Sequence, residues 1–294
     1  MQAPNTLCFC VPAACGGWLL RDFLRSVGVS ASLAKQVKGS GGFFAGGAPV
    51  RTCDTVQAGQ TVWFSLPPEP PTTVQPQPIP LRIAYEDAHA LVLEKPAGMA
   101  VHPTLNYKDG TLANGYMGLL QARGQAGVFR PVNRIDKDTS GLVLCAKNAY
   151  AAPLLAQSAQ KVYWALVQGC PPEEQGVITA PIGRAPGSII LRRTDPAGKP
   201  SRTEYTVLGR YGPHTLVAAK AVTGRTHQLR VHFAHIGCPL AGDELYGGSR
   251  GQIGRQALHF AEIRFAQPQT GLAVRVQSPL PPDMAALAQN VTGV

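Results

Sequence analysis

Residues 130–148 read RPVNRIDKDTSGLVLCAKN, and this stretch indicates the fold most directly. Its first half is a polar loop, and its second half, from Leu142 to Ala146, is an apolar run typical of a buried strand. The loop places Asp136 close to the mouth of that strand, where a rigid scaffold can present a carboxylate to a ligand. An alternative stays open at this point, because the acidic and hydroxyl side chains of residues 136–140 could simply cap and turn the chain.

A second stretch, residues 223–243, reads TGRTHQLRVHFAHIGCPLAGD and predicts a helix over 226–236. Thr226 is its expected N-cap, and a glycine and a proline directly after residue 236 end it. Arg230 and His227 share one face, so the helix presents a fixed cation. The opposite apolar stripe consists of Leu229, Phe233 and Ile236.

The histidines of this predicted helix lack the spacing of a metal site. The side chains of His227 and His232 are five residues apart, which is about 140° around a helix axis. His235 does not complete a ligand set, and no HExxH sequence is present. We therefore expect no metal ion.

Residues 161–169, KVYWALVQG, predict a short strand with two adjacent aromatic residues. Side chains alternate across a strand, so Tyr163 and Trp164 point to opposite faces. We expect one ring to lie in the core and the other to be available for stacking on a base.

Apolar or alternating runs predict seven strands after residue 80. Helical spacing is clearest at 111–121, 150–160 and 226–236. Several successive strands are joined by short Gly/Pro turns with no room for a crossover helix, so we expect an α+β fold: a mixed, largely antiparallel sheet with flanking helices. The predicted strands lie at 91–93, 142–146, 162–167, 203–208, 214–222, 257–265 and 273–276.

Residues 67–80, PPEPPTTVQPQPIP, hold seven prolines in fourteen positions and predict a semi-rigid linker. The residues before it predict two short helices, at 18–27 and 31–37, and β segments at 43–44 and 61–66. The chain is therefore expected to divide into a small αβ module (1–66), the linker (67–80) and a larger domain (81–294). The module resembles the small RNA-binding module first known from a ribosomal small-subunit protein; the alternative is an unrelated N-terminal cap.

The charge balance favours a polyanionic partner. The 294 residues include 27 Lys and Arg against 17 Asp and Glu, a formal net charge of +10, although only 15% are charged. Nucleic acid is the first candidate, and a generally basic surface without a partner is the alternative. The sequence contains no uninterrupted stretch of about 18 apolar residues, so we expect no membrane-spanning segment. Seven scattered cysteines and the lack of a basic N-terminal region favour reduced, mostly buried thiols in a cytoplasmic protein.

Six ordered motifs within residues 81–280 together resemble the RluA-type family of RNA pseudouridine synthases. The family's catalytic-loop pattern (His-Arg-Leu-Asp, two residues, Thr-Ser/Thr-Gly) is similar to Asn133–Gly141, NRIDKDTSG. The other five are EKPAGMAVHPT at 94–104, the Gly198-Lys199…Thr203 segment, TGRTHQLRVH, GDELYGG and ALHFAEIRF. The order of small module, linker and synthase domain also occurs in this family.

The resemblance implies an enzyme that isomerises uridine to pseudouridine in RNA without a cofactor. It implies that Asp136 is the catalytic carboxylate, which either attacks a ribose carbon or removes a ribose proton. A carboxylate in a closed pocket stays ionised when a guanidinium lies beside it, a physical reason to pair Asp136 with Arg230; Arg225 is the weaker candidate. The resemblance also implies that Tyr163 packs on the uracil and serves as a base at carbon 5.

The resemblance further implies a set of substrate-binding residues. Arg134 matches the family arginine that enters the space left by the extruded nucleotide. Asn133 stands where most relatives carry His, and an asparagine there can still brace the loop through hydrogen bonds. The remaining expected contacts with RNA are Thr139, Lys199, Arg202, Arg225 and His227.

Large-subunit ribosomal RNA is the expected substrate, with tRNA as the second choice, and the enzyme is expected to be a monomer that does not bind membranes. Two other readings stay open. Asn133 and the appended module are compatible with a catalytically diverged RNA-binding or ribosome-assembly factor. A carboxylate hydrolase using Asp136 with Asp138 ranks last, because side chains at i and i+2 rarely converge on one bond.

Overall fold

The computed structural model describes residues 5–289, and its N-terminal part is a four-stranded antiparallel sheet with two helices. The strands pair in the order β1–β4–β2–β3. Ser30 caps the second helix by accepting a hydrogen bond from the N–H of Leu33 (3.2 Å), as the sequence predicts. These elements are β1 (Thr6–Cys10), α1 (Leu20–Ser26), α2 (Ala31–Gly39), β2 (Phe43–Ala45), β3 (Ala48–Val50) and β4 (Thr61–Ser65).

The proline-rich segment contains no helix or strand, but it packs closely on the first helix that follows it, α3 (Leu112–Ala122). The N–H of Gln77 donates to the carbonyl of Asn114 (3.0 Å), and the Asn114 amide donates to the carbonyl of Gln75 (2.9 Å). A Cβ at Gly118 would lie 2.0 Å from the Gln77 carbonyl oxygen, so only glycine permits this approach. The division at residues 66 and 80 stays a prediction.

A nine-stranded sheet carries the rest of the described chain. Eight of its strands pair in the order β5–β6–β7–β14–β8–β13–β12–β9, and β15 pairs with residues 262–266 of β14. The β7–β14 pair is parallel and all the others are antiparallel, which confirms the α+β expectation. Its strands are β5 (Arg82–Glu86), β6 (Ala90–Lys95), β7 (Ser140–Ala146), β8 (Gln160–Gln168), β9 (Gln175–Ile178), β12 (Thr203–Tyr211), β13 (His214–Ala221), β14 (Leu258–Ala266) and β15 (Ala273–Gln277).

The remaining elements flank this sheet. A separate two-stranded hairpin, β10 (Ile182–Arg184) with β11 (Arg192–Thr194), precedes β12. Three helices follow α3: α4 (Ala151–Ser158), α5 (Gln228–His235) and α6 (Pro282–Gln289). All seven strands predicted after residue 80 are present, whereas β5, β9, β10 and β11 were not predicted.

Two apolar cores meet at Tyr150. The main core contains side chains of β6, β7, β8, β13 and β14, of α3, and of α5, which packs on β12 and β13. The N-terminal sheet has a second core of its own. Tyr150, just before α4, is fully buried in that second core. Its hydroxyl lies 3.0 Å from the carbonyl oxygens of Val27 and Pro268. The N-terminal part is therefore packed directly on the larger part of the structure.

The expectation of mostly buried thiols is wrong. Cys15, Cys145 and Cys238 are buried, whereas Cys10, Cys53 and Cys170 are exposed and Cys8 is half-buried. Among the described residues, none of the helices combines the length and apolar composition needed to traverse a lipid bilayer.

Candidate active site

The loop that carries Asp136 is held from within by Asn133. The Asn133 amide donates to the carbonyl of Leu142 (3.2 Å), and its oxygen accepts from the N–H of Leu144 (2.9 Å). The N–H of Thr139 donates to the carbonyl of Asp136 (3.1 Å), which closes a turn. Asn133 is buried, and both its amide nitrogen and its amide oxygen bind the backbone of residues 142–144, so it braces the loop.

Two basic side chains, Lys95 and Arg255, also hold this loop through hydrogen bonds to its backbone carbonyls. The Lys95 ammonium, at the end of β6, donates to the carbonyls of Pro96 (2.8 Å), Met99 (2.7 Å) and Lys137 (2.8 Å). Burial lowers the pKa of Lys95 to about 7. Arg255 donates to the Asp138 carbonyl (3.1 Å). The sequence motifs include Lys95, but its supporting role was not predicted, because three backbone acceptors leave no signal in a sequence.

The loop enters β7 at a point of very close backbone approach. Gly141 has φ +114°, and a Cβ there would lie 2.3 Å from the carbonyl oxygen of Phe260 on β14. The preceding Ser140 hydroxyl pairs with His259 Nδ1 (2.9 Å). The parallel pairing of β7 with β14 therefore fixes the position at which the loop joins the sheet.

Arg230 on α5 lies between two carboxylates. Its Nη1 is 3.2 Å from Asp136 Oδ2, while its Nε and Nη2 each lie 2.7 Å from an oxygen of Asp243. The side chains of Asp136, Arg230 and Asp243 are 32%, 9% and 1% exposed. Burial opposes the charge of Arg230, but its bonds to Asp243 and the two negative charges outweigh burial and raise the pKa of Arg230.

This arrangement presents a half-exposed carboxylate beside a guanidinium that cannot turn away. The fork of Arg230 is fixed by a buried bidentate ion pair, which is the strong form of this contact. Asp243 was not predicted as a site residue. Its motif, GDELYGG, was recognised, but its partner Arg230 is thirteen residues earlier and Asp136 is farther still, so only the fold brings them together.

His227 also faces Asp136. Its Nε2 lies 3.7 Å from Asp136 Oδ2, and its Nδ1 is 2.7 Å from the hydroxyl of Tyr246. Burial lowers the pKa of His227, so the ring is neutral near pH 7. The Tyr246 ring lies 5.0 Å from the Arg230 guanidinium carbon and completes this wall of the site.

The prediction that Thr226 is the N-cap of α5 is wrong. The helix begins at Gln228, and the N-cap is His227, which has a left-handed backbone (φ 55°). Among the described residues it is the one non-glycine with positive φ. Such a conformation is strained for a residue with a Cβ, and it aims the ring at Tyr246 and Asp136.

Tyr163 on β8 forms the floor near Asp136. Its ring stacks on Phe260 with centroids 4.6 Å apart and an angle of 17° between the planes. Burial, together with the Asp136 charge, raises the pKa of Tyr163, so its hydroxyl stays protonated at neutral pH. Trp164 packs on the opposite face of the strand, as predicted.

The other expected RNA contacts fall into two groups. Thr139 is buried, and its hydroxyl lies 3.3 Å from the Gln256 amide, so it supports the loop and does not face a ligand. The remaining residues are exposed. Arg202 pairs with Glu204 (2.8 Å), and Arg225 donates to the carbonyl of Pro200 (3.2 Å) near the start of α5. The exposed residues are Arg134, Lys199, Arg202 and Arg225.

The side chains at this site are suited to electrostatic stabilisation. A carboxylate at the rim, a fixed guanidinium, a neutral imidazole and a buried phenol can stabilise charge that develops on a polar substrate. Within residues 5–289 no group of three or more His, Cys, Asp or Glu side chains is placed to hold a metal ion.

Comparisons with known proteins give the same family for sequence and fold. A model of the family described as RNA pseudouridylate synthase matches residues 89–235, which include the Asp136 loop and Arg230. A Bacillus subtilis protein called uncharacterized RNA pseudouridine synthase YjbO is 38% identical over 279 residues, covering 92% of this chain and 98% of that protein. Ribosomal large subunit pseudouridine synthase D of Pseudomonas aeruginosa is 39% identical, covering 81% of this chain and 80% of that protein.

The fold comparison extends to a human structure. Human RNA pseudouridylate synthase domain containing 1 superimposes with a TM-score of 0.57 at 29% sequence identity. The match covers 74% of this chain and 90% of that chain.

Proposed function

Because this chain belongs to the RNA pseudouridylate synthase family, we propose that it isomerises specific uridines of large-subunit ribosomal RNA, with Asp136 as the reacting carboxylate. The chain is an RNA pseudouridine synthase. One observation supports the role of Asp136 above all: Arg230 contacts it at 3.2 Å while Asp243 fixes the other side of the guanidinium.

The reaction breaks the bond from uracil N1 to ribose C1′, turns the base and joins its C5 to C1′. The base and ribose are only rearranged, so no cofactor is needed. Asp136 either attacks C1′ or removes the C2′ proton to give a glycal, and both routes require the ionised carboxylate. Arg230 places a positive charge 3.2 Å from that carboxylate.

Tyr163 is best suited to pack against the pyrimidine. Its ring already stacks on Phe260, and a planar base is well matched to such a surface. We expected it to act as a base at C5, but a phenol whose pKa is raised by burial and by Asp136 is a poor proton acceptor at neutral pH. We therefore propose that Tyr163 supports the base and that a water molecule accepts the C5 proton.

The target uridine must leave its stack to reach Asp136, which costs a few kcal/mol. Arg134 is exposed two residues before Asp136, where it can enter the vacated space. Lys199, Arg202 and Arg225 are exposed near the start of α5 and are proposed to contact the RNA backbone. The net charge of +10 favours such a substrate.

Ribosomal RNA is proposed over tRNA on two grounds. The relatives from Pseudomonas aeruginosa and Xylella fastidiosa are both called ribosomal large subunit pseudouridine synthase D. The N-terminal part also resembles a module of a ribosomal protein. A monomeric enzyme in the cytoplasm follows from the same proposal.

The decisive variant is Asp136→Asn, because it keeps the shape of the side chain and removes its charge. We expect it to abolish tritium release from ribosomal RNA labelled with [5-³H]uridine, while filter binding of the same RNA persists. Asp138→Asn, on the same loop, is the matched control and should keep at least half of the wild-type rate. Wild-type tritium release by Asp136→Asn would refute the role of Asp136.

The substrate is tested separately by mapping pseudouridine in cells with and without the gene. Loss of one or more sites in large-subunit ribosomal RNA is expected. Loss confined to tRNA would refute ribosomal RNA as the substrate. A full set of pseudouridines in the deleted strain, with a growth defect that the Asp136→Asn chain repairs, would favour an assembly factor.

A further inference from the structure

A tight turn stands beside the Asp136 loop and has no part in the chemistry described so far. The N–H of Thr104 donates to the carbonyl of Tyr107 (2.8 Å), and the N–H of Tyr107 donates back to the carbonyl of Thr104 (3.2 Å). These paired bonds close residues 104–107 into a turn with Leu105 and Asn106 at its tip. The Leu105 side chain is 95% exposed, so this apolar group points into solvent.

The turn is tied to the catalytic loop through Lys137. The Lys137 ammonium donates to the Tyr107 hydroxyl (3.1 Å) and lies 4.4 Å from the centre of its ring. Lys137 directly follows Asp136, and its own carbonyl is held by Lys95. The Tyr107 ring therefore contacts the side chain of the residue that follows Asp136, and 42% of Tyr107 remains exposed.

The same segment also borders the other end of the loop. His102 packs edge-on against Phe129, with ring centroids 5.0 Å apart. Burial and, next, the charge of Arg134 lower the pKa of His102, which places Arg134 close to it. Residues 102–107 therefore lie alongside the loop that carries Asp136, with Tyr107 in contact with Lys137.

An exposed leucine alone needs no explanation, since single apolar side chains are common on protein surfaces. Here the leucine is at the tip of a closed turn, two residues before an aromatic ring that contacts Lys137 on the Asp136 loop. RNA-binding proteins use aromatic rings as stacking surfaces for unpaired bases, and apolar side chains separate base steps. A nucleotide can be extruded only if its neighbours in the stack are separated and held.

We propose that the turn of residues 104–107 is a nucleobase-binding site for the nucleotides that flank the target uridine. Tyr107 stacks on one flanking base, and Leu105 packs against the same step of the opened RNA. Lys137 holds the Tyr107 ring in place and offers its charge to the adjoining phosphate. This inference rests on the proposed function, because it needs an RNA substrate from which one uridine is extruded.

The test measures kcat and KM of four variants on [5-³H]uridine-labelled total RNA from cells lacking the gene. Tyr107→Ala and Leu105→Ala should raise KM about tenfold and leave kcat within twofold, because stacking is lost and the reacting groups are untouched. Tyr107→Phe keeps the ring and should stay within threefold of wild type. Leu272→Ala removes an equally isolated exposed leucine, on the turn between β14 and β15, and should change nothing.

A binding measurement separates this inference from the proposed function. In the Asp136→Asn chain, the dissociation constant for the same RNA should weaken by the same ratio when Tyr107 or Leu105 is changed to Ala. The dissociation constant is measured without turnover. If the wild-type chain isomerised no uridine, the proposed function would be refuted, but the binding measurement would still test whether the turn contacts RNA. Dissociation constants and KM values within twofold of the unsubstituted chain for both alanine variants would overturn it.

Discussion

Arg230 is held mainly by a residue that does not react. Asp243 binds two of its N–H groups at 2.7 Å and is almost completely buried, whereas Asp136 receives one longer contact of 3.2 Å. The stronger pair therefore fixes the guanidinium, and the weaker contact leaves Asp136 able to move toward a substrate. The carboxylate that fixes Arg230, Asp243, is therefore different from the carboxylate that is proposed to react, Asp136.

We predict that Asp243→Asn lowers kcat about 10- to 100-fold, because Arg230 loses the bond that sets its orientation. Removing one partner of a buried ion pair should also lower the free energy of unfolding by about 3–5 kcal/mol. Tritium release and urea unfolding, both at 20 °C, measure the two effects.

Glu244→Gln is the control for that variant. Glu244 is adjacent in sequence but 69% exposed, and it pairs with Arg250 at the surface. It should match the wild type in both measurements. A folded Asp243→Asn chain with a kcat within twofold of wild type would show that Arg230 does not need this anchor.

Sequence patterns located Asp136, the proposed reacting carboxylate, and its partner Arg230, but not the residues that support them. Asp136 and Arg230 lie in recognisable motifs, and both were predicted as partners. Asp243, by contrast, is a loop residue with no periodicity around it, and its role depends on burial that only the fold creates. The same holds for Lys95, whose backbone acceptors lie on the turn directly after it and on the distant Asp136 loop.

At the scale of elements, apolar runs predicted the strands of the main sheet well. The short or polar strands β9, β10 and β11 were missed, because they bury few side chains and give little alternation. The start of α5 was misplaced by two residues, since Thr226 has the residue type of a cap, whereas the contacts of His227 with Tyr246 and Asp136 override that preference.

The contact between the proline-rich segment and α3 gives a prediction at this scale. Gly118→Ala would place a methyl group 2.0 Å from the Gln77 carbonyl oxygen, so the segment must move away from the helix. We expect urea unfolding to show a net loss of about 1–2 kcal/mol, in spite of the better helix propensity of alanine.

Gly39→Ala provides the comparison, because Gly39 is also helical and has open space around it. It should be neutral or slightly stabilising. If the two alanine variants had equal free energies of unfolding, the close packing of the segment on α3 would be contradicted.

At the scale of the whole molecule, buried histidines make stability depend on pH. Burial lowers the pKa of five of them, in the case of His259 to about 4. Between about pH 6.5 and pH 4 the unfolded chain binds protons that the folded chain does not, so acid favours unfolding. The neutral histidines therefore support the full stability of the folded chain above about pH 6.5, and this part of the free energy of unfolding is lost as the pH falls. The five are His102, His214, His227, His232 and His259.

We therefore predict that the free energy of unfolding in urea falls between pH 7.5 and pH 5. His259→Asn should make this fall about 2 kcal/mol smaller, because one depressed titration is removed. His235→Asn, at an exposed position on α5, should leave the fall unchanged. An identical pH dependence for wild type and His259→Asn would refute the contribution of His259.

The place of β14 in the main sheet has a consequence for how the chain is made. The strands β7 and β8 are neighbours in sequence, joined by α4, but they leave a gap that β14 fills nearly one hundred residues later. Until that strand leaves the ribosome, each half of the sheet has an unpaired edge open to association with other chains. β14 must therefore be synthesised before the two halves become one sheet, and the loop that carries Asp136 gains its final geometry only after that step.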